Sequence, residues 1–173
     1  ILTCAMGLDV HRDIIVACLV KGAVDAEPEA ETRTFSTLIP EMQKLRDWVI
    51  EAECRNVAME STGIYWQPIY EMLESCFNSE ISILVVNARH MKNVPGRKTD
   101  MKDAQWIATL LRAGLLKGSF IPDKAFRELR HLTRYRKSVV HDITAQKNRI
   151  DKFLQSSGFR FTAFLSNAFG ASG

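Results

Sequence analysis

A mixed α/β sheet followed by one long helix is the fold class the sequence predicts, and three observations predict it. Two short apolar segments rich in Val and Ile, residues 6–10 and 14–20, open the chain as a strand pair. Later apolar segments alternate with stretches of helical spacing, the pattern of strand–helix units with parallel pairing. From Lys124 to Ser157 there is neither Pro nor Gly, and apolar residues recur with a heptad period.

The elements follow in order. His11, Arg12 and Asp13 are polar and few enough to turn a hairpin between the first two strands. Residues 25–31 form an acidic stretch containing Pro28, read as a turn, and residues 33–35 form a third candidate strand. Pro40 marks a helix start, where its missing N–H costs nothing, and Met42, Leu45, Trp48, Val49 and Ala52 follow at helical spacing. Val57, Ala58 and Met59 make a short buried strand that ends at Glu60, and Ser61, Thr62 and Gly63 turn the chain. Ile69, Leu73 and Cys76 mark the next helix, and residues 81–86 are a strand rich in β-branched residues. Thr99 is placed to cap a helix over residues 100–113, with Gly114 just past its end.

With 173 residues, 46% of them hydrophobic and 25% charged, the chain can bury one core and carry an appendage. The expected division is a domain over 1–120, a coiled-coil helix over 124–157 and a truncated or flexible tail over 158–173. The longest apolar run, residues 14–20, is far shorter than the roughly 20 residues of a membrane span, so no membrane partner is expected. Residues 1–6 lack the positive charge and cleavage pattern of a secretory signal. Cys4, Cys18, Cys54 and Cys76 are scattered, with no C-x-x-C, which fits a reducing cytoplasm and offers no sequence-evident zinc site.

Charge is distributed unevenly. Residues 1–88 hold 6 Lys/Arg against 14 Asp/Glu, and residues 89–173 hold 17 against 6. A basic half of this kind points to a polyanion. Within it, the heptad places Leu129, Arg136, Ile143 and Ile150 at one core position and Leu132, Val139, Gln146 and Phe153 at the other. The same segment carries Arg127, Arg130, Arg134, Lys137, Lys147, Arg149 and Lys152. So polar a helix is marginal alone, which calls for a partner strand from another copy, with these side chains on nucleic-acid phosphates. The alternative is a helix packed within its own chain.

Four carboxylates are candidates for chemistry. Asp9 interrupts the apolar first strand and Glu60 ends a buried one. In open α/β sheets, sites form at the carboxyl ends of strands, where these two acids meet if their strands are parallel neighbours. Asp100 and Asp103 stand three apart on a helix, so they share a face, and both extend the apolar stripe of Ala104, Ile107, Leu110 and Leu111. Acids near a core repel one another and suffer desolvation, which a cation offsets. All-oxygen ligands suit Mg²⁺ or Mn²⁺, and two such ions can clamp the oxygens of a phosphodiester undergoing transfer. His11 is either an assistant to a site at the strand end or a plain hairpin-tip residue. Trp66, Trp106 and Tyr135 could stack on single strands, although Trp106 at helical spacing reads as core or surface filler.

The segments Gly7-Leu8-Asp9-Val10-His11, Met59-Glu60-Ser61-Thr62-Gly63-Ile64-Tyr65-Trp66 and Lys98-Thr99-Asp100-Met101-Lys102-Asp103-Ala104, with Val86-Asn87 at a strand end, resemble the DEDD transposases of bacterial insertion sequences, the insertion-sequence one-ten group. The resemblance runs over about residues 6–155. It implies a RuvC-like, RNase H-type mixed sheet flanked by helices, then a coiled coil, in a bacterial cytoplasmic protein. It maps the Mg²⁺-binding catalytic acids onto Asp9, Glu60, Asp100 and Asp103. It also implies DNA recombination guided by a structured RNA, with the RuvC-like and coiled-coil parts contacting that RNA and building the oligomer. Family members continue into a domain with a nucleophilic serine. This chain ends at Gly173, so it reads as an N-terminal portion, and Ser166 and Ser172 are not nominated as nucleophiles.

Two other classes compete. A non-catalytic nucleic-acid-binding and dimerisation module would keep the fold without the chemistry. An actin-like kinase or ATPase lobe also opens on an apolar strand bearing Asp, but glycines usually follow that Asp so that backbone N–H groups reach phosphate. Here Val10, His11, Arg12 and Asp13 follow Asp9.

Overall fold

A computed structural model describes residues 1–23, 26–61, 63–77, 80–87, 103–160 and 169–170. Of the positions singled out above, Thr62, Lys98, Thr99, Asp100, Met101, Lys102, Ser166 and Ser172 lie outside the described residues. The chain forms two compact units, residues 1–121 and 122–173.

The first unit is built on five strands: β1 (Cys4–Val10), β2 (Ile14–Lys21), β3 (Glu29–Ser36), β4 (Asn56–Glu60) and β5 (Ser82–Val86). They are ordered β3-β2-β1-β4-β5. β2 is antiparallel to both β1 and β3, while β1, β4 and β5 run parallel. This mixed sheet with flanking helices is the RNase H-like arrangement. β1 lies at its centre, paired along its length with β2 and over Met6–Leu8 with β4.

Strand β3 is much longer than residues 33–35. Glu29 and Glu31, read from sequence as part of a turn, pair with Lys21 and Leu19 instead. β3 is an edge strand with only Phe35 buried, so its apolar pattern is weak and its charged face blunts the exposed edge. The opposite edge is partly covered as well, because Gly118 bridges Val86 and the Ser119 N–H donates to the Val85 carbonyl at 2.7 Å.

Helices α1 (Ile39–Glu51) and α2 (Trp66–Phe77) cover one face of the sheet. Their buried Leu45, Val49, Ile69 and Leu73 join Met6, Leu8, Val10, Ile15, Val57 and Met59 in the larger core. Helix α3 (Asp103–Arg112) covers the other face. Its Ile107 and Leu111 pack on Ala5, Ala58 and Val86, and its Ala104 and Ala108 pack on Cys18 and Val20. The α3 stripe of Ala104, Ile107, Leu110 and Leu111 is buried, as is Trp106 at 8% exposure, whereas Asp103, which the spacing places at the head of that stripe toward the core, is exposed in the first turn. The helix stops at Gly114, whose φ of +71° is the left-handed stop that glycine adopts without strain.

The second unit contains α4 (Lys124–Ser156), 33 residues long. Asp123 caps it by accepting from the Phe126 N–H at 3.0 Å. It ends before Gly158, with the Phe159 N–H on the Leu154 carbonyl. Among the described residues, no helix is long and apolar enough to cross a membrane.

Candidate functional site

Strand alternation sorts the central residues by face. Met6, Leu8 and Val10 point toward α1 and α2, so Ala5, Gly7 and Asp9 point toward α3. In β4, Val57 and Met59 join the first face, which leaves Ala58 and Glu60 on the second. The parallel register pairs Gly7 with Ala58 and Leu8 with Met59. One step further along, at the carboxyl ends of both strands, Asp9 stands beside Glu60 on the same face. Asp103 sits in the first turn of α3, the helix that covers that face.

The electrostatics of Asp9 report this convergence. Its carboxyl is held above the ordinary value of 3.8, first by burial and further by the charges of Asp103 and Glu60. His11 works in the opposite direction. Its Nε2 lies 3.1 Å from Asp9 Oδ2, and because a carboxylate only accepts, the imidazole N–H is the donor. The Asp9 side chain is 16% exposed, so these interactions are only partly screened by water. His11 is thus tied to Asp9 as well as standing at the hairpin tip.

Sequence reasoning proposed four acids, and the fold brings Asp9, Glu60 and Asp103 to one end of one face, while Asp100 is outside the described residues. The donor chemistry is all oxygen, apart from the His11 ring, and suits a hard divalent ion. Among the described residues no group of three or more His, Cys, Asp or Glu is drawn close enough to hold an ion outright.

At Gly7 the backbone of α3 comes closest to the sheet, an approach that sequence reasoning does not single out. A Cβ there would stand 2.1 Å from the Ala104 carbonyl oxygen and 2.5 Å from the Ala108 nitrogen. A glycine inside an otherwise apolar strand is the available signal, since it marks a close backbone approach.

On α4, Arg130, Arg134, Lys137, Lys147, Arg149 and Lys152 are exposed. Arg127 differs: it is buried, and its Nη1 donates to the Pro122 carbonyl at 2.7 Å. The apolar heptad positions are open too, with Val139 at 37%, Ile143 at 49% and Phe153 at 70% exposure.

Compared with known families, residues 6–158 match the family described as transposase, the DEDD group of IS110 type. The chain belongs to this transposase family. The match spans the five-stranded unit and α4 together. No curated protein matches the transposase sequence. Its structure is similar to Thermus thermophilus RuvC, with a TM-score of 0.46, 12% identity, and coverage of 67% of this chain and 99% of RuvC. The same RuvC in complex with Holliday junction substrate gives 0.46, 12%, 68% and 100%. Fowlpox virus resolvase in complex with substrate Holliday junction DNA gives 0.43, 10%, 64% and 96%.

Proposed function

We propose that this transposase chain carries the metal-dependent nuclease part of a DNA recombinase: it cleaves phosphodiester bonds in DNA with Mg²⁺ or Mn²⁺, under guidance from a structured RNA. The observation that carries the reading is geometric: the in-register pairing of β1 with β4 sets Asp9 beside Glu60 at the strand ends, on the face covered by α3 with Asp103 in its first turn. A partly buried carboxylate with two other acids near it is unfavourable without a counter-charge, and a divalent ion offsets both the repulsion and the burial of Asp9. Asp9, Glu60, Asp100 and Asp103 would hold it. Bound there, the ion supplies Lewis-acid stabilisation of the charge that develops on the phosphodiester oxygens.

The chain's own residues do the rest. Asp9 and Glu60 are fixed by adjacent strands, which sets their spacing more firmly than loops would. The His11 N–H holds one Asp9 oxygen and so orients the carboxylate. Helix α4 supplies the hold on nucleic acid and on a second copy of the chain. Its heptad seam is apolar and open, while Arg130, Arg134, Lys137 and Lys152 occupy heptad positions away from that seam, where phosphates can reach them. Lys147 and Arg149 flank the seam.

The test is Asp9→Asn in the full-length protein. Divalent-dependent DNA cleavage is expected to disappear, with circular dichroism and melting unchanged or improved. Cleavage that survives the substitution defeats the assignment. Retained nucleic-acid binding with no cleavage in the wild type at any Mg²⁺ or Mn²⁺ concentration supports a binding module instead.

A further inference from the structure

We propose that Gly7 is a positioning residue for the acid site: its missing side chain lets α3 settle on β1 and thereby sets how far Asp103 stands from Asp9, and with it the size of cation the site accepts. The inference rests on the metal-site reading above.

Gly7 sits mid-strand at the centre of the sheet, paired with Cys18 on one side and Ala58 on the other. The space where its side chain would be is filled by the helix backbone. The nearest atoms to a Cβ at position 7 are the Ala104 carbonyl oxygen at 2.1 Å, the Ala108 nitrogen at 2.5 Å and the Ile107 Cβ at 3.0 Å. The first two cannot swing aside as a flexible side chain would. The contact is lined by small residues on both sides: Ala5, Cys18 and Ala58 of the sheet and Ala104 and Ala108 of the helix are all 0% exposed. The helix therefore rides low over Gly7 because its neighbours on three adjacent strands, Ala5, Cys18 and Ala58, are small.

This contact lies next to the acids. Ala104 follows Asp103 directly, and Asp9 is two residues beyond Gly7 on the same face of β1. A methyl group at position 7 must lift the first turns of α3 by roughly 1 Å, because a packed interior has no void to take it. A helix moves as a rigid body over that range, so Asp103 is carried outward with Ala104. Ligand distances leave no slack for such a shift: Mg²⁺ requires oxygens at about 2.0–2.1 Å in near-octahedral geometry, whereas Ca²⁺ accepts about 2.3–2.6 Å and irregular shells. The close approach at Gly7 therefore favours the small, strict ion, and opening it shifts the preference toward the larger one.

The experiment compares four forms of the chain: wild type, Asp9→Asn, Gly7→Ala and Leu73→Ala. Leu73 is fully buried on α2, on the far face of the sheet, so its truncation destabilises the domain without touching α3. Each form is titrated calorimetrically with Mg²⁺ and with Ca²⁺, melting temperatures are recorded, and the metal-free structure of Gly7→Ala is determined. Gly7→Ala is expected to weaken Mg²⁺ binding by about tenfold or more, to weaken Ca²⁺ binding less, and to show Ala104 and Asp103 displaced away from β1. Leu73→Ala should melt lower yet bind Mg²⁺ as the wild type does. If Gly7→Ala does not fold, Cys18→Leu lifts the same helix from the neighbouring strand and should give the same loss. Mg²⁺ binding by the lifted variant equal to that of Leu73→Ala, or an undisplaced Asp103, overturns the role of Gly7. A wild-type chain that binds neither ion instead overturns the metal-site reading, and the displacement of Asp103 then decides the spacing role alone.

Discussion

His11 reaches back to the carboxylate two residues before it: its Nε2 lies 3.1 Å from Asp9 Oδ2, across the tip of the β1–β2 hairpin. The Thr37 hydroxyl donates to the Arg12 carbonyl at 2.9 Å, which ties the same tip to the end of β3. A tied hairpin holds the imidazole over the acid, and the attraction between them works against the burial and the like charges that push the Asp9 carboxyl up. The net direction is upward, and the sign of the first prediction depends on it.

Asp9 binds its proton more tightly in the folded chain than in the unfolded one, because its folded pKa lies above 3.8. Its charged form is a burden on the fold at neutral pH. That burden is relieved as pH falls through the folded pKa toward the unfolded value. Asp9→Asn is therefore expected to melt higher than wild type at pH 7 in metal-free buffer, with the advantage vanishing below about pH 4. Melting curves across that range decide it; a variant that melts lower at pH 7 contradicts the electrostatic account.

His11→Ala removes the influence that lowers the Asp9 pKa, so the carboxyl should titrate at higher pH than in wild type. Carbon-detected NMR of the Asp9 carboxyl reads this directly. The cost in stability should be below about 1 kcal/mol, since the His11 side chain is 55% exposed and the pair is screened. An unmoved Asp9 titration would show that the contact carries no weight in solution.

The cysteines separate by environment. None of the four is in a disulfide; Cys76 is exposed, Cys18 and Cys54 are buried, and Cys4 is intermediate. Burial pushes the Cys54 thiol up to about 12, and the thiolate is the reactive form. An aromatic disulfide reagent at pH 8 should label Cys76 first and Cys54 only on unfolding, as peptide mapping would show. Early labelling of Cys54 would mean that the core around α1 opens readily.

Helix α4 leaves Ile143 49% exposed in the middle of its heptad seam. With the proposed pairing of α4 between two copies, Ile143→Asp is expected to give a smaller species than wild type in sedimentation experiments, since a seam charge without a partner is strongly unfavourable. Nucleic-acid affinity of the wild type should fall linearly on a log–log plot against salt, by about 0.7 to 0.9 per phosphate contact. A wild-type chain that is monomeric at high concentration, with salt-independent binding, leaves α4 as a packing helix alone.

Sequence disclosed the strands that are buried and missed the extent of the one that is not. β1, β2, β4 and β5 carry the apolar residues of the two cores, so periodicity finds them. β3 earns its place through backbone pairing to β2, and its charged side chains face water, which no hydrophobic pattern reports. The same holds at the site. Asp9 and Glu60 could be picked out as acids ending apolar strands. That they share a face depends on the in-register pairing of Leu8 with Met59, and register is a property of the assembled sheet. The approach of α3 to Gly7 is likewise a tertiary fact, legible only as an odd glycine.

The central position of β1 has a kinetic consequence. Its hairpin with β2 closes over a handful of residues, with Val10 opposite Ile15, whereas its pairing with β4 joins Leu8 to Met59 and closes a far longer loop. Loop-closure entropy rises with length, by about 0.6 kcal/mol per doubling, so the hairpin can form early and the β1–β4 ladder is the slower, non-local event. Asp9 and Glu60 are neighbours only after that second closure. A nascent chain emerging from the ribosome can thus display the hairpin and its His11 contact while the acid pair does not yet exist, which confines any strand-cutting geometry to chains that have finished folding.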